Sequence, residues 1–348
     1  MVRIGIIGVG GIANNVHIPE IIASNGGVLS AICDIDSAAL DKTGDKYNIP
    51  ENRRFEDYMD LINCPEVDAV EICTPNYLHV KMASAAAAAG KPINVEKPLS
   101  INVEEASRLG DILKNRNVPN MMCFSYRFKP AVRYAKKILE KGLIGDILSV
   151  NVEYLKSSAF MKERRLDWRF VKKFAGTGVI GDLGVHLIDM AQFLIGGMTS
   201  VTANAGIVVK QRKRLDSEEL ADVETEDFCN FMADFKCGAN GMFTVTRCAI
   251  GHANTIKYDI YGTKGVISFD LNNPDILNIC IGEIDAECFG MHTVKVPNEY
   301  KITQEQMFVD MVSGRECEYL PTVADGLCCQ KILDALLESS EKVCRIYL

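Results

Sequence analysis

No stretch of the 348-residue chain approaches the ~20 apolar residues that a bilayer-crossing helix needs, which argues against a membrane protein. The opening segment from Met1 to Gly11 has neither a charged leader nor a small-residue cleavage site, so no signal peptide is expected there. CxxC pairs are missing, although the chain holds 13 cysteines, and no metal-ligand spacing stands out. An odd cysteine number scattered through apolar runs, as at Cys33, Cys73 and Cys123, suits a reducing cytoplasm rather than a disulfide framework. Positive charge is in deficit: the net charge is −8, which opposes binding to nucleic acid or anionic lipid. The one basic cluster, Lys210, Arg212, Lys213 and Arg214, is followed at once by Asp216, Glu218 and Glu219 and reads as a solvated loop. Internal repeats and low-complexity linkers are absent too.

What remains is an ordinary globular balance, 48% hydrophobic and 24% charged, in a chain long enough for two domains. The first third alternates short β-rich runs with helical patterns. Strands are expected over 2–7, 28–33, 69–73, 93–95 and 120–124, with helices over 12–24, 37–47, 77–89 and 103–115. Near-continuous apolar strands alternating with helices imply a parallel sheet covered on both faces. Beyond about residue 124 the pattern changes. After a helix over 131–141 come longer runs with period-two alternation at 147–154, 201–209, 227–235, 240–246, 257–261 and 266–269. These predict a mainly antiparallel open sheet with one exposed face. Helices are expected over 181–194, 304–313 and 323–342. The fold class is therefore α/β: a parallel sheet over 1–124, then an α+β region over 125–348. The C-terminal helix is a candidate to pack back on the first domain.

Three clusters carry chemistry. The first is Gly8-Val9-Gly10-Gly11-Ile12-Ala13, which follows a strand and opens a helix. Gly8 permits the tight turn, Gly10 lets the backbone approach a pyrophosphate, and the small Ala13 allows helix–strand packing. The helix N-terminus offers N–H groups to phosphates. Asp34, at the end of the second strand and followed by Ile35, is spaced to accept hydrogen bonds from ribose hydroxyls. No Arg or Lys occupies 35–38 to neutralise a 2′-phosphate, so NAD is favoured over NADP. The competing reading makes Asp34 a helix N-cap before Ser37. The second cluster is Glu96-Lys97-Pro98, at the carboxyl end of a strand, where ligands of such sheets sit. Lys97 there either polarises a reacting oxygen or is a solvated surface group. The third is Gly181-Asp182-Leu183-Gly184-Val185-His186. Asp182 and His186 are a helical turn apart and share a face. Either His186 takes a proton at neutral pH, or Asp182 caps the helix and His186 packs in the core.

Taken together, GVGGIA at 8–13, CDID at 33–36, CTPNYLH at 73–79, EKP at 96–98, YRFKP at 126–130, DWR at 167–169 and GDLGVHLID at 181–189 resemble the glucose–fructose oxidoreductase / inositol dehydrogenase family in order and spacing. The resemblance implies a Rossmann-like domain and an open sheet whose exposed face forms homodimers or homotetramers. It implies a catalytic set of Lys97, Asp182 and His186, with His186 as general base, Lys97 polarising the same oxygen, and Asp182 orienting substrate or histidine. Pro98 is expected to follow a cis peptide bond. Thr74, Pro75 and Asn76 look like the loop at the nicotinamide end, with Glu96 beside them. His79 lies close by, with packing an equal reading. Arg127, Trp168 and Arg169 resemble substrate-pocket positions. The basic stretch Lys162, Arg164 and Arg165 is either a solvated loop or an anchor for an acidic or phosphorylated sugar.

The reading that follows is a cytoplasmic NAD-dependent dehydrogenase acting on a secondary hydroxyl of a polyol, sugar or glycoside, with no metal. Two alternatives share the same residues: a glycosidase that uses bound NAD for transient oxidation, and a non-catalytic NAD-binding regulator. Asp34→Ala is expected to weaken NAD binding and relax discrimination against NADP, as calorimetry with both cofactors would show. An unchanged preference would mean that the carboxylate does not face the ribose.

Overall fold

The computed structural model describes the chain Met1–Leu348 apart from residues 162, 163, 283, 284, 286, 288 and 289, so Lys162 of the basic stretch lies outside the described residues. The first elements are β1 (Val2–Ile7), α1 (Ile18–Ala23), β2 (Gly27–Cys33), α2 (Ser37–Lys46), β3 (Arg54–Phe55) and α3 (Tyr58–Asn63). Then come β4 (Ala69–Ile72), α4 (Asn76–Ala88), β5 (Ile93–Val95), α5 (Val103–Arg116) and β6 (Asn120–Met122). The middle of the chain forms α6 (Pro130–Glu140), β7 (Ile147–Leu155), α7 (Lys172–Ala175), α8 (Val185–Leu194) and β8 (Met198–Gly206). It continues through β9 (Gln211–Lys213), β10 (Leu220–Asp222), β11 (Phe228–Phe235), β12 (Asn240–Thr246), β13 (Thr255–Gly262) and β14 (Gly265–Asp270). The last elements are β15 (Ile276–Ile281), β16 (His292–Lys295), α9 (Gln304–Val312), α10 (Val323–Lys342) and β17 (Ile346–Tyr347).

Two compact units result: Met1–Ser125 with Thr303–Gln330, and Tyr126–Ile302 with Lys331–Leu348. The second unit is thus not the continuous 125–348 stretch expected from the sequence. Segment 303–330 belongs to the first unit, where α9 brings Glu305 and Val309 to α1 and its neighbours.

In the first unit, six strands form a parallel sheet in the order β3-β2-β1-β4-β5-β6. β4 and β5 are buried along their whole length, as expected for strands covered on both faces. The chain reverses direction across the sheet between β1 and β4, and that switch point is where ligands of open α/β sheets bind. Gly8 ends β1 there with φ +94°, and a Cβ would lie 2.8 Å from the Cys73 carbonyl oxygen. Helix ends are capped locally. Asp36 accepts from Ala38 and Ala39 N–H at the start of α2, and Asn102 accepts from Glu105 N–H at the start of α5. The N-cap before Ser37 is therefore Asp36, not Asp34. The helix expected over 12–24 is interrupted: Ala13–His17 forms a π turn before α1.

In the second unit, nine strands pair in the order β16-β15-β14-β13-β7-β12-β11-β8-β17. Every pair is antiparallel except β7 with β12. Alternation is clear in β7, β11 and β12, where Val150, Val152, Cys229, Phe231, Phe243 and Val245 are buried and Asn151, Glu153, Asn230, Met232 and Met242 are exposed. Phe231 and Phe243 are cross-strand partners and stack 4.4 Å apart, which ties register to packing. The edge strand β16 and its neighbour β15 are more exposed, so their weaker pattern escaped the sequence reading. The basic cluster at 210–214 is not a loop but part of a β9–β10 ribbon. Arg214 pairs with Glu219 and Lys213 with Glu218, while Arg212 turns inward over the Phe170 ring and donates to the Ala159 and Arg164 carbonyls. Arg165 also pairs with Glu218, leaving the 162–165 stretch less basic than its composition implies.

Arg247 and Asp227 form a buried ion pair at 2.6 Å, and the other Asp227 oxygen accepts from Val208 and Val209 N–H. Removing one partner strands a buried charge. Arg247→Met is expected to destabilise the protein by about 3–5 kcal/mol in urea unfolding, and a change within about 0.5 kcal/mol would show that water reaches Asp227.

Candidate active site

The glycine loop stands at the carboxyl end of β1, held by one acidic side chain. Val9 N–H donates to Asp34 Oδ2 at 2.8 Å, and Asp36 N–H donates to Asp34 Oδ1 at 3.0 Å. Each oxygen keeps a lone pair for another donor. At Gly10 no protein atom lies within 4 Å of where a Cβ would stand, and its φ is not left-handed. The fold therefore has no use of its own for glycine there. An open backbone is what close approach of a pyrophosphate needs. Ile12 and Ile35 beside the loop are exposed although apolar, and the buried Thr74 hydroxyl has no hydrogen-bond partner among the described residues. These features fit a dinucleotide along the switch point.

Lys97 follows β5, half-buried, and its bond to Pro98 is cis, as expected. Two neighbours bond inside the protein, Glu96 against expectation and His79 in line with its packing reading. Glu96 is drawn inward: Oε1 meets His17 Nε2 at 3.0 Å, and Oε2 accepts the Lys97 N–H at 2.9 Å. His79 is fully buried, with Nδ1 2.8 Å from the Pro98 carbonyl and Nε2 2.7 Å from the Thr74 carbonyl. It braces the loops after β4 and β5 against each other, and burial pulls its pKa down. Both side chains bond within the protein, because a buried polar group takes the partners within reach.

Behind Glu96 lies a cluster that sequence reasoning missed. His17, carried inward by the π turn, has Nδ1 2.8 Å from Glu71 Oε1 and 2.9 Å from Glu305 Oε1. Asn94 donates to Glu71 at 3.0 Å and Gln304 to Glu305 at 3.0 Å. Cys73 and Cys123 complete the surroundings, all buried. Burial works against a charged His17, but the acidic groups Cys73, Glu71 and Cys123 outweigh it and hold its pKa well above 6.5. Burial, then Glu305, hold the Glu71 carboxyl far above the usual range. The sequence signal was faint: one histidine on an otherwise apolar helix face, and one glutamate inside an apolar strand.

In the second unit, Ile180–Gly184 forms a second π turn, leading into α8. Asp182 does not cap it. Glu226 does, accepting Gly178 N–H at 2.6 Å and Ile180 N–H at 2.9 Å. Gly178 has to be glycine, since a Cβ would lie 2.1 Å from the Glu226 carbonyl oxygen. His186 sits in the first turn of α8, and the Tyr126 ring meets it edge-on at 4.7 Å. The Tyr126 and Tyr154 hydroxyls are 3.1 Å apart, and Tyr154 donates to Asn254 Oδ1 at 2.9 Å. Burial, with help from Tyr126 and Asp182, pushes the Tyr154 phenol up, so it stays a donor. The helix is anchored from below, where Tyr258 donates to the Leu187 carbonyl at 2.6 Å. Arg127, expected at the substrate, instead forms a buried forked pair with Asp189 of α8. A buried guanidinium needs such a partner. Trp168 is half-buried with Arg169 stacked on it at 4.5 Å, and Arg169 remains exposed.

A dinucleotide fold with an open glycine loop and a strand-end lysine defines the class, an NAD-binding oxidoreductase. The chain matches the profile of the oxidoreductase family with NAD-binding Rossmann fold over residues 2–124 and the GFO/IDH/MocA C-terminal domain over residues 132–268. It belongs to the Gfo/Idh/MocA family and is an enzyme of the dehydrogenase type with NAD as cofactor. It is 34% identical over 317 residues to levoglucosan dehydrogenase of Pseudarthrobacter phenanthrenivorans, covering 82% of this chain and 81% of that one. To glucose-6-phosphate 3-dehydrogenase of Bacillus subtilis it is 25% identical, covering 97% and 96%. A solved structure of levoglucosan dehydrogenase in complex with NADH superposes with TM-score 0.90 at 30% identity, covering 99% and 98%. Among the described residues no helix is long and apolar enough to cross a membrane.

The buried cluster has a consequence for stability. The folded-state pKa values of His17 and Glu71 both lie above their ordinary values of 6.5 and 4.5. Their contribution is whole below those ordinary values and is lost as pH rises through the raised ones. The melting temperature is expected to fall as pH rises from about 5 to about 8, and Glu71→Gln to flatten that slope. Parallel curves for the two proteins would mean that Glu71 does not hold its proton in the folded state.

Proposed function

We propose that the protein oxidises a secondary hydroxyl of a sugar, cyclic polyol or glycoside, with His186 receiving the hydroxyl proton. The observation that carries this reading is the setting of His186, a largely buried imidazole with a tyrosine–tyrosine–asparagine hydroxyl chain beginning at the ring against it. Names of relatives support the substrate class, one acting on levoglucosan and another on glucose 6-phosphate.

NAD, when bound, accepts the hydride. The residues that would hold it are Gly8, Gly10, Gly11 and Ile12 at the pyrophosphate, Asp34 and Ile35 at the adenosine half, and Thr74, Pro75 and Asn76 toward the nicotinamide. The protein's own work is proton handling and orientation. Removing a hydride from a secondary alcohol is favourable only if the hydroxyl proton leaves as well, and an imidazole is the group suited to take it near neutrality. Lys97 is assigned to the hydroxyl oxygen, where an ammonium stabilises developing negative charge. Asp182 orients the substrate, and Trp168 with Arg169 supplies further contacts. A pocket lined by such groups discriminates through its hydrogen bonds, since each unmatched buried polar group is penalised. Met232 and Met242, exposed cross-strand partners on the outer face of the open sheet, suit that face to pairing between copies of the chain.

The test is NADH production followed at 340 nm with levoglucosan, aldoses, sugar phosphates, inositols and simple glycosides, with NAD and NADP in parallel. His186→Ala is expected to lower kcat on the best substrate by about 10²–10⁴-fold while NAD affinity stays nearly unchanged. Near-normal turnover in that variant would remove His186 from its role. Release of free sugar from a glycoside without net NADH would replace dehydrogenation by hydrolysis through transient oxidation.

A further inference from the structure

His17 is enclosed on every side by groups that compete for its protons. Glu71 of β4 and Glu305 of α9 face Nδ1, Glu96 after β5 faces Nε2, and Cys73 and Cys123 lie alongside. Glu71 and Glu305 each bring one carboxyl oxygen to Nδ1, and burial with the neighbouring carboxyl holds Glu71 above the usual carboxylate range. A doubly protonated imidazole between that pair and the Glu96 carboxylate satisfies the arrangement, with a donor on each side. The alternative occupant is a metal, since His17, Glu71 and Cys123 offer ligand atoms within 4.8 Å of one another. Ligand atoms at about 2.0–2.3 Å from a tetrahedral ion stand more than about 3.2 Å apart. The His17–Glu71 separation of 2.8 Å is shorter than that and is a hydrogen bond.

The Glu96 carboxylate is the link outward. One oxygen is held by His17, and the other accepts the main-chain N–H of Lys97. We infer that His17 is a positioning residue for Lys97: through Glu96 it fixes the backbone from which the lysine is presented at the carboxyl edge of the sheet. This rests on the role proposed for Lys97, and it concerns placement of that side chain rather than cofactor affinity. His17 is buried, and its link to Lys97 runs through the Glu96 carboxylate. A displacement of about 1 Å in a catalytic group costs up to about 10²-fold in rate.

Two substitutions separate the two sides of the ring. Asparagine reproduces the reach of Nδ1 and glutamine that of Nε2, so H17N keeps the Glu71–Glu305 side and H17Q keeps the bond to Glu96. Hydrogen exchange of the 94–100 segment, NADH affinity by calorimetry, and kcat on the best substrate of the panel are measured for both. In H17N the Lys97 amide is expected to exchange at least tenfold faster, with kcat down about 10–100-fold and NADH affinity within about threefold of the parent. H17Q is expected to stay near the parent in all three. Equal behaviour of H17N and H17Q, loosening spread evenly over the sheet, or stoichiometric metal in the purified protein would overturn the inference. Should H17N not fold, E96Q serves. Its single amide oxygen cannot accept from both His17 and Lys97, so the same rise in exchange and loss of kcat are expected, and parent-like values overturn the inference. K97A tests the underlying reading apart from this one. Near-normal kcat in K97A removes the lysine from catalysis, whereas an impaired K97A beside a parent-like H17N removes only the histidine's part.

Discussion

A charge buried without a partner costs more than most local preferences can supply, and the first unit is arranged around one such group. His17 can be held inside the protein only if acceptors meet both ring nitrogens. Those acceptors come from β4, from the turn after β5 and from α9, near opposite ends of the chain. The π turn is what carries His17 inward. Segment 303–330 returns to the first unit with Glu305 already placed for this contact. The same carboxyl edge that must bind a cofactor is thus backed by a polar knot instead of a purely apolar core. That knot reaches the site through Glu96.

The second unit solves a similar problem with a different set of parts. In the role proposed for it, His186 has to be buried enough to be held and yet near a hydroxyl to accept its proton. A π turn again precedes the residue, and N–H groups at its start are taken by Glu226 from the segment before β11. Below it Tyr258 holds the helix carbonyl at Leu187, and the Arg127–Asp189 pair clamps the helix to the turn that carries Tyr126. Each support is a hydrogen bond made where water is excluded, so each is directional and costly to break. The imidazole is positioned by the surrounding structure more than by its own helix.

How much was legible in the sequence follows from the range of the interactions concerned. Strands such as 2–7, 93–95 and 240–246, and the helix over 323–342, were readable to the residue because their patterns are local and strong. The helix over 12–24 was recognised but not its π turn, since the stimulus for that turn lies in Glu71, Glu96 and Glu305. Gly8, Gly10 and Asp34 announced themselves through spacing, because a nucleotide loop is a contiguous device. Glu96 and Arg127 were read from their place in a motif, which says that a polar residue is near a site, not which way it faces, while for His79 packing was an equal reading. Tyr154 and Asn254 could not have been singled out, as nothing near them in the chain hints at Tyr126.

By itself the sequence determined the class of fold, the glycine loop with its acidic partner, the strand-end lysine and the Asp182–His186 pair. All of these rest on periodicity or on residues close together in the chain. Tertiary structure alone decided which buried polar groups are paired with which. It gave Glu96, His79 and Arg127 their internal partners and gathered His17 with three carboxyls. The physical reason is that burial removes water as the universal partner. A polar side chain must then bond to whatever the fold brings within about 3 Å, and that neighbour is set by topology rather than by sequence distance.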